Sequence, residues 1–496
     1  MQSLPGQLLS TQITIPTQKL SYQYVHSLDL SIKVQTNNFP ADMNFFLPLD
    51  VYFLMDISGS MNLDEKFLNI KASLQMILEK KFYGKKIRVC LIVFNDVASI
   101  IFDLQEINSL NKTNLMECIN NLVAKGSTNM GDALKLVWQK INENLNNDKN
   151  RMVTVFIFTD GLNNKGLNNN DIIKYLNKFP SGIEINTIGY GYEHDGNFLN
   201  QIATLSNSGI YYFIENVANI SLIFSECINR VLNICNKNVI IKLIAQDGCR
   251  ITKINSCYSI KQFKEAKEYE IPLGNMSSGD SINILLRISL KKFNFQLLQH
   301  ILNVETHSVN IYSGHQNVDV QSITVDRIPS TSKEIISYPD EIQKHIIRFQ
   351  YINVMKLNFS NAYDKNIFSG DEFIKLLRDV NEFMEKMNDP KIIEYCTDLL
   401  SDIKDLMLCF NDKITFFKYG KNFAHAFYSM YLHEKSNGTW CLSSIQQIIS
   451  FSKENIPKIR GPQYAYTTYE KKSRYLNEQN IVEEYLKKMD NKYENF

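Results

Sequence analysis

From Asp50 to about Leu232, short and wholly apolar runs alternate with stretches of helical spacing, and this alternation constrains the fold more than any other feature. Val51-Tyr52-Phe53-Leu54-Met55 has no polar interruption, as a strand buried on both faces requires. Phe67, Ile70, Leu74 and Ile77 then fall on one stripe of a helix expected over residues 66–80. Further strands are expected at 87–94, 152–158, 183–188 and 210–214, with an edge strand at 98–102. Helices are expected near 110–123, 130–145, 171–179 and 197–205, and from about Asn219. Strands joined through helices need right-handed crossovers, which gives a doubly wound, mostly parallel sheet covered on both sides.

The flanking segments carry a different period. Leu28-Asp29-Leu30-Ser31-Ile32-Lys33-Val34 alternates strictly, as a half-exposed strand does. The same pattern returns in Ile240-Ile241-Lys242-Leu243-Ile244 and in Ile282-Asn283-Ile284-Leu285-Leu286-Arg287-Ile288, with turn residues over 274–280 between them. Neither flank is long enough for a domain of its own. The simplest packing is one β-sandwich built from both flanks, with the α/β unit inserted in it. From about Pro339 the chain turns helical, at Ile342, Ile346, Phe349 and Val354, then over 373–383, 392–408 and 416–432, where Gly420 weakens the start of the last helix. The expected division is therefore N-terminal sandwich strands (1–48), the α/β domain (49–233), the rest of the sandwich (234–332), an α-helical domain (333–455) and a C-terminal tail (456–496) with a charged helix over 481–490.

Composition narrows the function classes. Lys and Arg total 53 against 52 Asp and Glu, a net charge of +1, which argues against a broad nucleic-acid surface. No run approaches the roughly 20 apolar residues of a spanning helix, so no membrane insertion is expected. Residues 1–6 carry neither a basic segment nor an apolar core of a secretory signal. The nine cysteines are scattered without a Cys-x-x-Cys pair, which suggests neither a zinc site nor a disulfide framework. Buried, reduced thiols in a cytoplasmic protein are the expectation.

The chemistry concentrates in three short segments. Asp56-Ile57-Ser58-Gly59-Ser60 follows the first buried strand directly. In a doubly wound sheet such strand ends face the crevice where ligands bind. One carboxylate and two hydroxyls on a tight loop suit a hard cation such as Mg²⁺, which takes about six oxygen ligands and usually keeps several waters. A simple capping loop, with Ser60 or Asn62 as N-cap, would use the same residues. Gly126-Ser127-Thr128-Asn129-Met130-Gly131 adds a hydroxyl on a loop that opens a helix, and Thr159-Asp160-Gly161 adds a second carboxylate after the strand at 152–158. These residues sit where Asp56, Ser58, Ser60, Thr128 and Asp160 can converge over one sheet edge.

The stretch from about Leu49 to Leu232 resembles a von Willebrand factor type A domain with a complete metal-ion-dependent adhesion site. The family's Asp-x-Ser-x-Ser motif matches Asp56, Ser58 and Ser60, its loop threonine matches Thr128, and its second aspartate matches Asp160. Ser127 stands where a second Gly is common. Thr187-Ile188-Gly189-Tyr190-Gly191 and Gly209-Ile210-Tyr211-Tyr212 also fit the family pattern. The resemblance implies hydroxyl coordination by Ser58, Ser60 and Thr128, with the two aspartates acting directly or through water. It further implies Mg²⁺ as the ion, with Mn²⁺ or Ca²⁺ as alternatives, and a Glu or Asp of a protein partner as its outside ligand. The loops around Gly59, Gly126 and Gly161 would face that partner. The flanks resemble, more loosely, intracellular proteins in which this domain sits in a β-sandwich before a helical region. Some of those act in ubiquitin ligation through a RING finger, for which this chain has no Cys/His spacing.

The reading is a non-enzymatic interaction module or scaffold, with a substrate-recognition role in ubiquitin ligation or another assembly as alternative. A purely structural ion is a third reading. A Mg²⁺-dependent phosphatase of the haloacid dehalogenase type would need a second Asp where Ser58 stands, and so lacks an acid/base. No Gly-x-Ser-x-Gly elbow or phosphate-binding Gly-Lys loop is present. His194, between Glu193 and Asp195, reads as part of a solvated loop rather than a second metal site. His425 and His433 read as packing or exposed residues, and Tyr464, Tyr466 and Tyr469 as packing or partner-binding residues.

Overall fold

The computed structural model describes residues 9–37, 48–147, 151–179, 182–206, 208–214, 220–330, 335–434, 439–440 and 458–459. The helix expected at 481–490 and Tyr464, Tyr466 and Tyr469 lie outside the described residues. Three strands open the chain: β1 (Leu9–Thr14), β2 (Lys19–Ser21) and β3 (His26–Thr36). The α/β unit follows as β4 (Leu49–Asp56), α1 (Lys66–Ile77), β5 (Ile87–Phe94), β6 (Ala98–Glu106), α2 (Lys112–Asn120), α3 (Met130–Asn147), β7 (Met152–Thr159), α4 (Asn169–Leu176), β8 (Glu184–Tyr190), α5 (Gly196–Leu205), β9 (Tyr211–Ile214) and α6 (Ile220–Leu232). Seven strands come next: β10 (Ile234–Ala245), β11 (Cys249–Asn255), β12 (Lys261–Lys264), β13 (Glu268–Ser277), β14 (Ser281–Leu290), β15 (Leu297–Asn310) and β16 (Gln316–Ile328). The helices α7 (Asp340–Ser360), α8 (Asp371–Glu385), α9 (Pro390–Cys409), the single turn α10 (Lys413–Thr415) and α11 (Lys421–His433) complete the main elements.

The central sheet has the order β6-β5-β4-β7-β8-β9 and is parallel except for β6. Every residue of β4, β7 and β8 is buried, which explains why their sequences lack polar alternation. The two-residue period of the strand splits the core in two. Tyr52 and Leu54 face the layer containing α3, α4 and α5, whereas Val51, Phe53 and Met55 face α1, α2 and α6. Phe53 stacks on Phe156 of the neighbouring strand at 5.6 Å between ring centroids, so truncating it to alanine would cost about 3–5 kcal/mol. The chain steps from β4 to β5 on one side and later to β7 on the other. The C-terminal end of β4 is therefore the point where strand order reverses. At the opposite end of β4, Asp50 accepts from Arg88 at 2.5 and 2.7 Å and from Arg151 at 2.6 Å.

Both flanks build the sandwich. One sheet has the order β1-β3-β14-β11 and the other β12-β13-β10-β15-β16-β2. β3 lies between β1 and β14, with Ile32 opposite Ile284 and Val34 opposite Ile282. The buried residues Leu28, Leu30, Ile32 and Val34 join Ile241, Leu243, Leu286 and Ile288 in one core. β2 pairs in parallel with β16 in the second sheet. The fully buried Arg327 guanidinium fixes that junction, donating to Ser21 O at 2.8 Å, Tyr24 O at 3.1 Å and Gln299 Oε1 at 2.9 Å.

The helical region continues the core on the α3–α5 side of the central sheet. Asn422 of α11 is buried and bridges the two units. Its Oδ1 accepts from Gly196 N at 3.0 Å, and its Nδ2 donates to Tyr192 O and His194 O at 3.0 and 3.1 Å. Arg348 of α7 pairs with Glu434 and donates to Asn283 O of β14 at 2.9 Å, tying the helices to the sandwich. His194 departs from its expected place in a solvated loop, because α11 covers it and its Nε2 lies 2.7 Å from Tyr211 Oη. His425 and His433 are buried, and the His425 ring stacks on Phe359 at 4.1 Å. No described helix is long and apolar enough to cross a membrane.

Candidate metal centre

The C-terminal ends of β4 and β7 lie side by side, so Asp56 and Asp160 are delivered to one place by adjacent parallel strands. Both carboxylates are fully buried, as are Ser58 and Thr128, and Ser60 is half-buried. Asp56 Oδ1 accepts from the backbone N–H of Ser58 at 2.8 Å, and its Oδ2 accepts from Thr159 Oγ1 at 2.6 Å. Ser58 Oγ lies 3.1 Å from Ser60 Oγ, which in turn donates to Asp160 Oδ1 at 2.6 Å. Asp56, Ser58, Ser60 and Asp160 are thus joined in one hydrogen-bonded run, whose first link passes through the Ser58 backbone N–H. The point a Gly161 Cβ would occupy is 3.4 Å from Ser60 Oγ and 3.5 Å from Thr128 Oγ1, so Gly161 leaves a small cradle between the three loops.

Backbone hydrogen bonds hold these loops in register. Ile57 N donates to Phe94 O at 2.8 Å, Lys125 N to Ile57 O at 2.7 Å, and Gly59 N to Gly126 O at 3.0 Å. Gly126 takes a positive φ of 84°, and a side chain there would collide with the Asp96 carboxylate. Thr128 is gripped from the third loop, with its N–H donating to Asn164 Oδ1 at 2.9 Å and its carbonyl accepting from Asn164 N at 3.1 Å. Asn163 Oδ1 accepts from Met130 N at 3.1 Å and satisfies an orphan amide at the start of α3.

The alternative of a plain capping loop is corrected. The short 3₁₀ turn Gly59–Glu65 has Ser58, not Ser60 or Asn62, at its N-cap, and that side chain makes no capping bond. Asn62 instead donates to Ala124 O at 2.8 Å. Both serine hydroxyls are directed at each other and at Asp160, which capping does not explain.

Burial pushes the Asp56 carboxyl up to about 6, with the bonds from Thr159 and Ser58 opposing the rise and the nearby Asp160 adding to it. Two carboxylates held out of water this close together favour a cation between them. The donors are all hard oxygens, the set that Mg²⁺ and Ca²⁺ prefer to softer thiolate or imidazole sites. Among the described residues, no cluster of three or more His, Cys, Asp or Glu could hold a metal. The hydroxyls of Ser58, Ser60 and Thr128 are therefore needed to complete any ligand set here.

Lys66, at the start of α1, escaped the sequence reading. Its Nζ donates to Asp160 Oδ2 at 3.1 Å, with only 10% of its side chain exposed, and sits 5.5 Å from the centroid of the Tyr190 ring. In sequence it is an ordinary polar residue before an amphipathic stretch. Thr159 was passed over in the same way, since its hydroxyl could equally have been a buried strand threonine.

Comparison with known proteins agrees with this architecture. Over 211 residues the chain is 26% identical to the uncharacterized protein sll0103 of Synechocystis, covering 42% of this chain and 48% of that one. Over 247 residues it is 23% identical to the uncharacterized protein YfbK of Escherichia coli K12, covering 49% and 42%. The aligned region thus spans about half the length of these relatives. Among solved structures, a von Willebrand factor type A protein from Catenulispora acidiphila superposes with a TM-score of 0.60 at 12% identity, covering 80% of this chain and 89% of that one. The ArnB paralog VWA2 from Sulfolobus acidocaldarius gives 0.50 at 13% identity, covering 86% and 99%. The family model described as the von Willebrand factor type A domain matches residues 50–226. The strand order, the sheet's two-sided helical cover and this match lead to one conclusion: the chain contains a von Willebrand factor type A domain.

Proposed function

We propose that Asp56, Ser58, Ser60, Thr128 and Asp160 hold a divalent cation, Mg²⁺ with Mn²⁺ or Ca²⁺ as alternatives, and that this ion binds a Glu or Asp side chain of a protein partner without turnover. Domains of this family generally mediate protein–protein interaction. The observation that carries the reading is the hydrogen-bonded run from Asp56 through Ser58 and Ser60 to Asp160, with the Ser60 and Thr128 hydroxyls beside the space that Gly161 leaves open. A divalent ion supplies a Lewis-acidic position for an incoming carboxylate. The protein's part is to fix five oxygens on three stitched loops, so that little ordering remains when the ligand arrives. The loops around Gly59, Gly126 and Gly161 would surround that carboxylate. An acid/base for phosphoryl chemistry is missing at position 58, where a serine N–H instead orients Asp56.

A pull-down from native extract, run in Mg²⁺ and in EDTA with wild-type and Asp56→Ala chains, tests the reading. Partners that are retained only with the ion, and lost with the variant, support it. Undiminished capture by Asp56→Ala would sink it. Chelator-insensitive capture together with a chelator-dependent melting temperature would favour an ion with a purely structural role.

A further inference from the structure

We propose that Lys66 is a tethered cation built into this site, competing with the metal ion for Asp160 and leaving the loaded site with a surplus positive charge that draws an anionic ligand. The proposal rests on the metal-binding reading above. Lysine is seldom buried unless paired. Lys66 is buried, and its ammonium turns inward to Asp160 Oδ2 at 3.1 Å. The Tyr190 ring lies 5.5 Å away and helps to hold it there.

Each oxygen of Asp160 thus has a donor, Ser60 on Oδ1 and Lys66 on Oδ2. An ion that uses this carboxylate must share it with the ammonium or displace it. The charge inventory gives the consequence. Asp56 and Asp160 against Lys66 leave one net negative charge before the ion, and one net positive charge after a divalent ion enters. Without the lysine, the loaded pocket would be neutral. The lysine weakens the metal alone and strengthens the pull on a carboxylate, so that metal and acidic ligand bind as a pair. By reciprocity of binding free energies, each raises the affinity for the other by the same factor.

The test is isothermal titration calorimetry of the full chain, stripped with EDTA and dialysed, with MgCl₂ and separately MnCl₂ at fixed pH and ionic strength. Wild type is compared with Lys66→Met, Lys66→Gln, Lys66→Arg and Asp56→Ala, each checked for folding by circular dichroism. Removing a like charge a few ångströms from the ion should tighten binding of the metal at least about tenfold in the Met and Gln variants, whereas Arg should stay within about threefold of wild type. If Lys66→Met does not fold, Lys66→Gln decides, since its amide can still donate to Asp160. Folded Met or Gln variants that bind metal no tighter than wild type overturn the proposal. If Asp56→Ala abolishes binding at the same time, the metal site stands and only the role of Lys66 falls. Absence of metal binding in wild type and every Lys66 variant overturns both.

Discussion

Ser60 Oγ donates to Asp160 Oδ1 at 2.6 Å although the two residues are 100 positions apart. This bond closes the first loop onto the third, at two of the atoms proposed to meet the ion. Ser60→Ala should therefore lower Mg²⁺ affinity by about tenfold while costing only about 0.5–1.5 kcal/mol of stability. Calorimetric metal titration beside urea unfolding of the same variant checks the split. A loss of stability well beyond that range, with metal affinity intact, would make the bond structural only.

Gly161 offers a cleaner separation of site from scaffold. An alanine Cβ there would make ordinary contacts of 3.4 Å with Ser60 Oγ and 3.5 Å with Thr128 Oγ1, so the chain should fold normally. The methyl group would nonetheless occupy the space between the two hydroxyls. Gly161→Ala is expected to keep its melting temperature within about 3 °C of wild type in EDTA. It should also lose most of the stabilisation that Mg²⁺ gives wild type, which is about 2.7 kcal/mol when the ion is at a hundredfold excess over Kd.

The buried pair of Arg230 on α6 and Glu184 on β8, 2.7 Å apart, predicts a non-additive result. Burial opposes the Arg230 charge most strongly, but Glu184, together with Tyr212 and Asp280, outweighs it and holds the pKa above the ordinary value. Arg230→Met would strand a fully buried carboxylate and should cost about 3–5 kcal/mol. The double variant Arg230→Met/Glu184→Leu should recover a large part of that loss. Urea denaturation of the two singles and the double completes the cycle.

Acid should weaken the contact between the helical region and the α/β unit. Burial holds His194 and His425 down to about 3, with Lys421 pushing both in the same direction. His194 also pushes His425 down, and Lys66 pushes His194 down. The Tyr190 and Gly191 carbonyls oppose the fall at His194, and the Tyr211 and Tyr363 hydroxyls face the two rings. The folded chain keeps both rings neutral, whereas the unfolded chain protonates them near pH 6.5. Between those values the unfolded state binds more protons, so this contribution is complete above about pH 6.5 and is lost as pH falls. At pH 5 each histidine should cost about 2 kcal/mol relative to pH 7. Urea midpoints at the two pH values should converge for His425→Phe by roughly that amount, and an unchanged pH slope would count against the account.

Much of the fold was legible because its strongest constraints are local. The run Ile87–Phe94 coincides with its strand, and the apolar run 51–55 lies inside Leu49–Asp56. Strict alternation at Leu28–Val34 placed the strand but not its burial. The expected open face is covered as well, with Asp29 and Ser31 buried and only Lys33 partly exposed, because Arg287 of the distant β14 pairs with Asp29. Asp56, Ser58 and Ser60 could be found because a strand end, a tight loop and oxygen donors coincide in five residues. What stayed hidden depends on tertiary contact. His194 sits between two acidic residues and is buried only because α11, more than two hundred residues later, lies over it. Lys66 looks solvated until the third loop brings Asp160 beside it. The capping alternative stayed open in the sequence because the partner of Ser60, Asp160, lies 100 positions away and outside any local window.

The interrupted sandwich sets an order of events during synthesis. Asp29 meets Arg287 at 2.7 Å across 258 positions, and the whole α/β unit lies within that interval. The parallel sheet has all its strands by residue 214, while β3 still waits for β14. A nascent chain must therefore keep the edge of β3 from pairing wrongly until another 70 or so residues are made, several seconds at ordinary elongation rates. The folded α/β unit holds the two ends of the gap close together, with Asn37 O and Asn233 O both bonded to Ser278, and so shortens the loop that sandwich assembly has to close.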